Sequence, residues 1–419
     1  MTTDFSEMLP EMLFGEELKT ELEVLPEYDE AFRELDAGAR LLKLPDIYRI
    51  FIPNDMAYEI YHKLYSMVSV SMQRKGTAEA VRLLNAAQRG HEETGSSSGY
   101  AIHEYKGVAT GMTSATCIGV SGIGKTSCLQ AASGLCGGTI ETKLPYRKLV
   151  PVLEVSCPFN CSFRSLCSQI LAKLDECLGT DYYQKSLKRS INAEQVMQMV
   201  CSLANIHIGV LVIDEIQMII ENKSGTQLYR MILQLINSSN ICVLMCGTPE
   251  CVPFFEQNPQ MARRMAGLQY GPMMYDVHFK EFCQTVFSYQ YTKNKTELTD
   301  GILEWLYEYS GAIPATVTAL IYSAQEISIQ NGSEKLDIAA LNAAYDKRMK
   351  MLHPYISPNI KMDKKYAAQP KQPDRTIEKA IPADAVQVDI ESLVVSAKKH
   401  GEDIIEVLDR HIPVMEVVV

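Results

Sequence analysis

Residues 117–129 read CIGVSGIGKTSCL, and GVSGIGKT within them (119–126) has the spacing G-x-x-x-x-G-K-[ST]. A short apolar run, ATCIGV (115–120), precedes it and a helical pattern (125–136) follows, the strand-to-helix context in which this spacing cradles phosphate. Glycines let the backbone from Gly119 through Val120, Ser121, Gly122, Ile123 and Gly124 curl so that its N–H groups converge on phosphate oxygens. They do so at the positive end of the following helix. Lys125 is placed to reach the β- and γ-phosphates of ATP, and the Thr126 hydroxyl to hold Mg²⁺. Ser127 closes the segment as a bystander.

A phosphate cradle of this kind needs an acid at the end of a neighbouring buried strand, and VLVIDEIQ supplies one: four apolar residues, then Asp214 and Glu215. Asp214 is placed for the metal, and Glu215 to accept a proton from the attacking water. The strand ICVLMCG (241–247) leads into Thr248, either a sensor that orients water or a turn residue before Pro249. NPQMARRMAG reads as the end of a helix carrying Arg263 and Arg264. Two readings stand there: cations favoured by the helix dipole, or an arginine finger reaching the γ-phosphate of an adjacent subunit.

Further apolar runs at 148–157, 208–215 and 275–279 read as strands, and 163–178, 192–205, 225–239 and 249–266 as helices. Strands apolar almost without alternation are buried on both faces. The fold class is therefore α/β, a three-layer parallel sheet with helices on both faces. Upstream, Tyr58, Tyr61, Leu64, Tyr65 and Val68 follow helical spacing after Asp55, a candidate N-cap. Downstream, 281–350 carries only helical signals, with a turn at YSGAIPATV and an N-cap at LDIAALNAAY. The chain thus divides into an acidic segment (1–40), a helical extension (41–100), the α/β domain (101–280), a helical lid (281–350), a Pro-spaced linker (351–383) and a tail (384–419). The leader reads as a helix or a partner segment. The tail reads as a partner-binding helix or a segment docked on its own body.

At 419 residues and 47% hydrophobic, the chain can bury a sizeable core, which excludes disorder throughout. No apolar window is long enough for a membrane span, and the acidic N-terminus lacks the positive charge of a signal peptide. All twelve cysteines lie between 117 and 283, which fits buried thiols in the reducing cytoplasm better than a disulfide framework. Cys157, Cys161 and Cys167 lack a second pair or a nearby histidine, so they read as buried small residues rather than a zinc site. The net charge of -11 is lopsided: residues 1–40 carry -9 and 381–419 carry -5, leaving +3 on the middle. A DNA-binding face on that middle is compatible with the total.

With GVSGIGKT, IDEIQ, GTPE and ARR in that order, the chain resembles an AAA+ ATPase. The second strand PVLEVSCPF, the stretch NPQMARR and the helix IPNDMAYEIYHKLY make it similar to the TnsC/TniB-type regulators of bacterial heteromeric transposons. That resemblance, over about residues 40–330, implies ATP-bound subunits assembling head to tail into a ring or helical filament on double-stranded DNA. The assembly would link a target-selection protein to the transposase, and hydrolysis would take it apart. It implies roles for Lys125 and Thr126 in the phosphate loop, Asp214 and Glu215 as the acid pair, Thr248 as first sensor, and Arg263 or Arg264 as finger. It also places the duplex against SCPFNCSFR, with Asn160, Ser162, Arg164 and Lys173 as candidate contacts; ordinary surface polarity is the other reading of these four. Ala315 stands in SGAIPA where many AAA+ relatives have a sensor arginine, which predicts slow or partner-dependent turnover. Two other functions fit the same motifs: an origin-binding or helicase-loading ATPase, and a signalling NTPase that never touches DNA. A two-lobed helicase is not expected, since the further motifs and second α/β lobe it needs have no room after residue 280.

Overall fold

The computed structural model describes residues 4–75, 114–143, 146–157, 162–188, 191–219, 230, 241–256 and 265–349, all within one compact unit, Met1–Ile360. Six strands form one sheet: β1 (Ser114–Gly119), β2 (Ile140–Lys143), β3 (Tyr146–Ser156), β4 (Ile208–Asp214), β5 (Cys242–Gly247) and β6 (Met265–Tyr270). Their spatial order is β2-β3-β4-β5-β1-β6. Every neighbouring pair is parallel except β2 with β3. This order sets the carboxyl ends of β1, β5 and β4 side by side, the edge of an open parallel sheet where ligands bind.

Alternate residues of the buried strands feed two different cores. Val210, Val212 and Leu244 point to one face, where they meet Ile60, Leu64 and Val68 of α3 (Asp55–Lys75) and Leu129 and Ala132 of α4 (Lys125–Leu135). Leu211, Ile213 and Val243 point to the other, against Ile170 and Leu174 of α5 (Phe163–Leu178) and Val196 and Val200 of α6 (Ala193–His207). Each such Val, Leu or Ile side chain contributes about 1.5–3 kcal/mol of burial, and β1, β4 and β5, buried at every position, have no wet face to mark with polar residues. The layered α/β architecture read from the sequence is the one observed.

Beyond the sheet, α7 (Val277–Ser288), α8 (Asp300–Ser310), α9 (Pro314–Asn331) and α10 (Ile338–Ala344) pack around a separate core that includes Phe279, Phe287, Leu306, Val317 and Leu320. Asp337 caps α10 through the Ala340 N–H at 2.9 Å. The turn before α9 bends at Gly311 and Ala312, both at positive φ.

Three local readings change. The cap of α3 is Asn54, whose side chain accepts from the Ala57 N–H at 3.1 Å, so Asp55 is the first helical residue. YDVHF is not a strand: Asp276 accepts from the N–H groups of His278 and Phe279 and starts α7, so a cap outweighs a short apolar alternation. The sixth strand lies earlier, at Met265–Tyr270, overlapping only the last two residues of the stretch 249–266 that reads as helical. There a Cβ on Gly267 would come within 2.6 Å of Thr116 Oγ1, so this glycine serves close strand pairing with β1 rather than a helix end. Upstream of it, the described part of the same stretch is a turn at Pro249–Cys251 and a short helix, Val252–Glu256. The helix expected at 225–239 falls outside the described residues, apart from Arg230.

The acidic leader is packed rather than loose. Phe5, Leu18 and Leu22 complete the core under α3 and α4, while Tyr28, Phe32, Leu44 and Ile47 join the core of the lid helices. Arg40, 1% exposed, makes a two-pronged pair with Glu334 at 2.6 and 2.7 Å and also donates to the Tyr291 carbonyl at 2.9 Å. The eleven described cysteines are free thiols, all buried but Cys177. Among them are Cys157 and Cys167, in the core beneath α5; Cys161 is outside the described residues. Among the described residues no helix is long and apolar enough to cross a membrane.

Candidate active site

The phosphate loop joins β1 to α4. Gly122 and Gly124 take φ of +84° and +100°, conformations that a side chain strains, and Gly124 starts α4 with no side chain capping it. A Cβ on Gly119 would lie 2.4 Å from Ile123 Cδ1 and 3.0 Å from the Tyr270 carbonyl. The loop therefore curls as tightly as its glycines suggest, with the helix N-terminus open toward it.

Around this cradle the described candidate side chains Lys125, Thr126, Asp214 and Glu215 converge. Lys125, 7% exposed, donates from Nζ to the carbonyls of Gly119 at 2.7 Å and Val120 at 3.0 Å, so its ammonium lies along the loop. The Thr126 hydroxyl donates to Asp214 Oδ2 at 2.7 Å, and Asp214 Oδ1 accepts from the Glu215 N–H at 2.8 Å. A hydroxyl and a carboxylate oxygen this close, beside a phosphate cradle, fit the protein share of a Mg²⁺ shell completed by phosphate oxygens and water. Glu215 itself has φ +55°, a costly backbone for a non-glycine residue. Burial pushes the Cys246 thiol well up, so the floor beneath Asp214 and Lys125 carries no thiolate.

Thr248 follows β5 directly. Its hydroxyl donates to Glu250, which holds that carboxyl below its ordinary value, with the Lys125 charge adding to the effect. Its carbonyl accepts from the Cys251 N–H at 3.0 Å. The backbone is thus a turn, as the second sequence reading has it, while the side chain sits at the strand end beside the loop. Arg263 and Arg264 fall outside the described residues.

Two groups of residues escaped the sequence reading. One is Gln217, whose Nε2 donates to Glu215 Oε2; IDEIQ contains it, but a helical position after an acid pair carries no chemical signal by itself. The other lines a cavity of about 240 Å³ beside the loop. Ile50, Phe51, Ile52 and Pro53 form one wall, Met273, His278 and Phe282 another, and Pro314 and Ala315 close it next to Gly122 and Gly124. Mostly apolar walls adjoining a phosphate cradle suit the base of a nucleotide. The only trace in the sequence is the apolar run IFIP before α3. Ala315 donates its N–H to the Gly122 carbonyl at 3.2 Å, so at this position the lid touches the loop through its backbone rather than through a long side chain.

The candidate DNA contacts are engaged within the chain. Ser162 caps α5 through the Ser165 N–H at 3.1 Å. Arg164 donates to the carbonyls of Ile191 at 2.7 Å and Ser186 at 3.1 Å, bracing the loop before α6. Lys173 pairs with Glu176 at 2.8 Å on an exposed face, and Asn160 lies outside the described residues.

Residues 101–272 match the family described as the bacterial TniB protein. No curated protein matches the chain. Among solved structures, the Aeropyrum pernix ORC1 protein in complex with DNA is similar at 13% identity, with a TM-score of 0.41 over 73% of this chain and 74% of that one. The Thermotoga maritima RuvB Holliday junction branch migration motor shares 15% identity at a TM-score of 0.35, covering 78% and 80%. Domain III of the Thermotoga maritima replication initiation protein DnaA shares 14% at 0.34, covering 58% and 85%.

Proposed function

We propose that this chain, whose residues 101–272 match the family described as the bacterial TniB protein, is an AAA+ ATPase that acts as an ATP-dependent regulator of DNA transposition. In this reading ATP-bound copies assemble as a ring or helical filament on duplex DNA, connect a target-selection protein to the transposase, and come apart on hydrolysis. The observation that carries it is the family match over a site whose parts lie together in one chain: Lys125 on the loop, Thr126 against Asp214, and Glu215 one residue on. Thr126 and Asp214 would hold Mg²⁺, which would neutralise phosphate charge. Lys125 would leave its loop carbonyls for the β- and γ-phosphates, and Glu215 would take a proton from water. Thr248 would orient that water, and Arg263 or Arg264 would reach the site of the next copy.

DNA contact in this reading is to phosphate and therefore tolerant of sequence and sensitive to salt. Lys173 is the best placed of the candidates, since its exposed pair with Glu176 is weak and exchangeable. The lid over 281–350 and the tail over 384–419 would serve assembly and partner contact.

Negative-stain imaging with ATP, with and without duplex DNA, tests the proposal. Rings or filaments that need ATP and lengthen on DNA are expected. Assembly and ATPase rate both indifferent to DNA would replace this reading with that of a signalling NTPase.

A further inference from the structure

We propose that Gln217 is a positioning residue for ATP hydrolysis, its amide holding the Glu215 carboxylate where the attacking water needs a base. The inference rests on the ATPase reading of the site. Glu215 follows β4 with φ +55°, a backbone conformation that is costly for a non-glycine residue and persists only where its surroundings impose it. Gln217, 7% exposed, then donates from Nε2 to Glu215 Oε2. One oxygen of the base is thereby occupied and oriented, and the other is left for water. In the step this serves, the water oxygen bonds to the γ-phosphorus and the bond to the bridging oxygen breaks, its electron pair leaving on ADP. A water proton passes to Glu215.

The other end of the same amide argues against a role in stability. Gln217 Oε1 is buried with no hydrogen-bond partner, which lowers stability relative to an apolar side chain of the same size. Space for it is made by Gly247 at the end of β5: a Cβ there would stand 3.1 Å from Gln217 Oε1 and 2.8 Å from both Ile216 Cγ1 and Cys251 Sγ. A buried amide with an unmet acceptor, seated against a glycine and attached to the base, is an arrangement that function explains and packing does not.

Gln217→Met keeps the volume and removes both polar atoms, and Gln217→Glu places a second carboxylate beside the base. In the full-length protein with Mg²⁺ and ATP, under conditions where the wild type turns over, Gln217→Met should lower kcat by roughly tenfold or more. Its ATP dissociation constant should stay within about twofold of wild type and its Tm should be equal or higher, since the unmet acceptor is gone. Gln217→Glu keeps the length and shape of the side chain but, as a carboxylate, can donate nothing to Glu215 Oε2, and should lower kcat at least as far as Gln217→Met. A Met variant turning over within about twofold of wild type, one whose ATP affinity falls in step with kcat, or a Gln217→Glu variant as active as wild type would each overturn the proposal. Wild-type protein that binds no ATP would instead remove the ATPase reading beneath it.

Discussion

The Thr126 hydroxyl donates to Asp214 Oδ2 at 2.7 Å, tying the first turn of the helix after the loop to the end of the central strand. Both atoms are ones a hard cation takes, and Asp214 is 6% exposed. Asp214→Asn keeps an acceptor for the hydroxyl but removes the charge. It should raise the Mg²⁺ concentration needed for half-maximal ATPase activity by about 10- to 100-fold, read from a Mg²⁺ titration; an unchanged midpoint would take Asp214 out of the metal shell.

Lys125 donates to the carbonyls of its own loop, and a bound triphosphate is the partner that would draw it away. Lys125→Ala should abolish ATP binding in isothermal titration while the melting temperature of the nucleotide-free protein changes little. Retained micromolar binding would contradict its assignment.

Glu215→Gln keeps the amide partner's geometry and removes the base. Hydrolysis should fall by about 10²- to 10⁴-fold with ATP affinity intact, and assemblies formed with ATP should persist in negative-stain images. Phosphate release at the wild-type rate is the outcome that would exclude Glu215 as the base.

Gly122 couples the loop to the lid. A Cβ there would meet Ile313 Cγ2 at 2.9 Å and Ala315 Cβ at 3.3 Å, on a backbone at φ +84°. Gly122→Ala should destabilise the protein by about 1–3 kcal/mol in urea unfolding and weaken ATP binding more than an alanine at exposed Gly134, near which a Cβ meets nothing.

The leader and the lid share the pair Arg40–Glu334, with side chains 1% and 15% exposed. Hydrogen bonding from Arg40 holds the Glu334 carboxyl below its ordinary value. A depressed folded-state pKa means that the pair's contribution is complete above the unfolded carboxylate's value, about 4.3, and is lost as pH falls through the lower folded value. Arg40→Met should therefore cost about 3 kcal/mol near neutral pH. The gap from wild type should hold down to about pH 5 and narrow below about pH 4 as Glu334 protonates, as measured by unfolding midpoints across that range.

Local patterns carried much of this protein. GVSGIGKT, the acid pair after VLVI and the apolar strands are legible because each depends on neighbours within a few residues: glycines that bend, a helix that starts, a strand with no wet side. Asp337 announced its helix in the same way. Where two local signals competed, the reading failed. Asp276 outweighed the alternation of YDVHF, and Gly267, which resembles a helix stop, is a strand residue because Thr116 lies against it.

Only the tertiary structure decided the rest, since it depends on which distant segments meet. The acidic leader carries no periodicity of its own, yet Arg40 finds Glu334 almost three hundred residues on, and Phe5 and Leu22 fill gaps that α3 and α4 leave. The cavity is made by Ile50–Pro53, Met273 and Pro314, three separate parts of the chain brought beside the loop. Gln217 gains its meaning from Glu215's left-handed turn and from the missing Cβ of Gly247. A sequence pattern reports the chemistry a residue can do; burial, direction and the partner across the fold determine whether it does it.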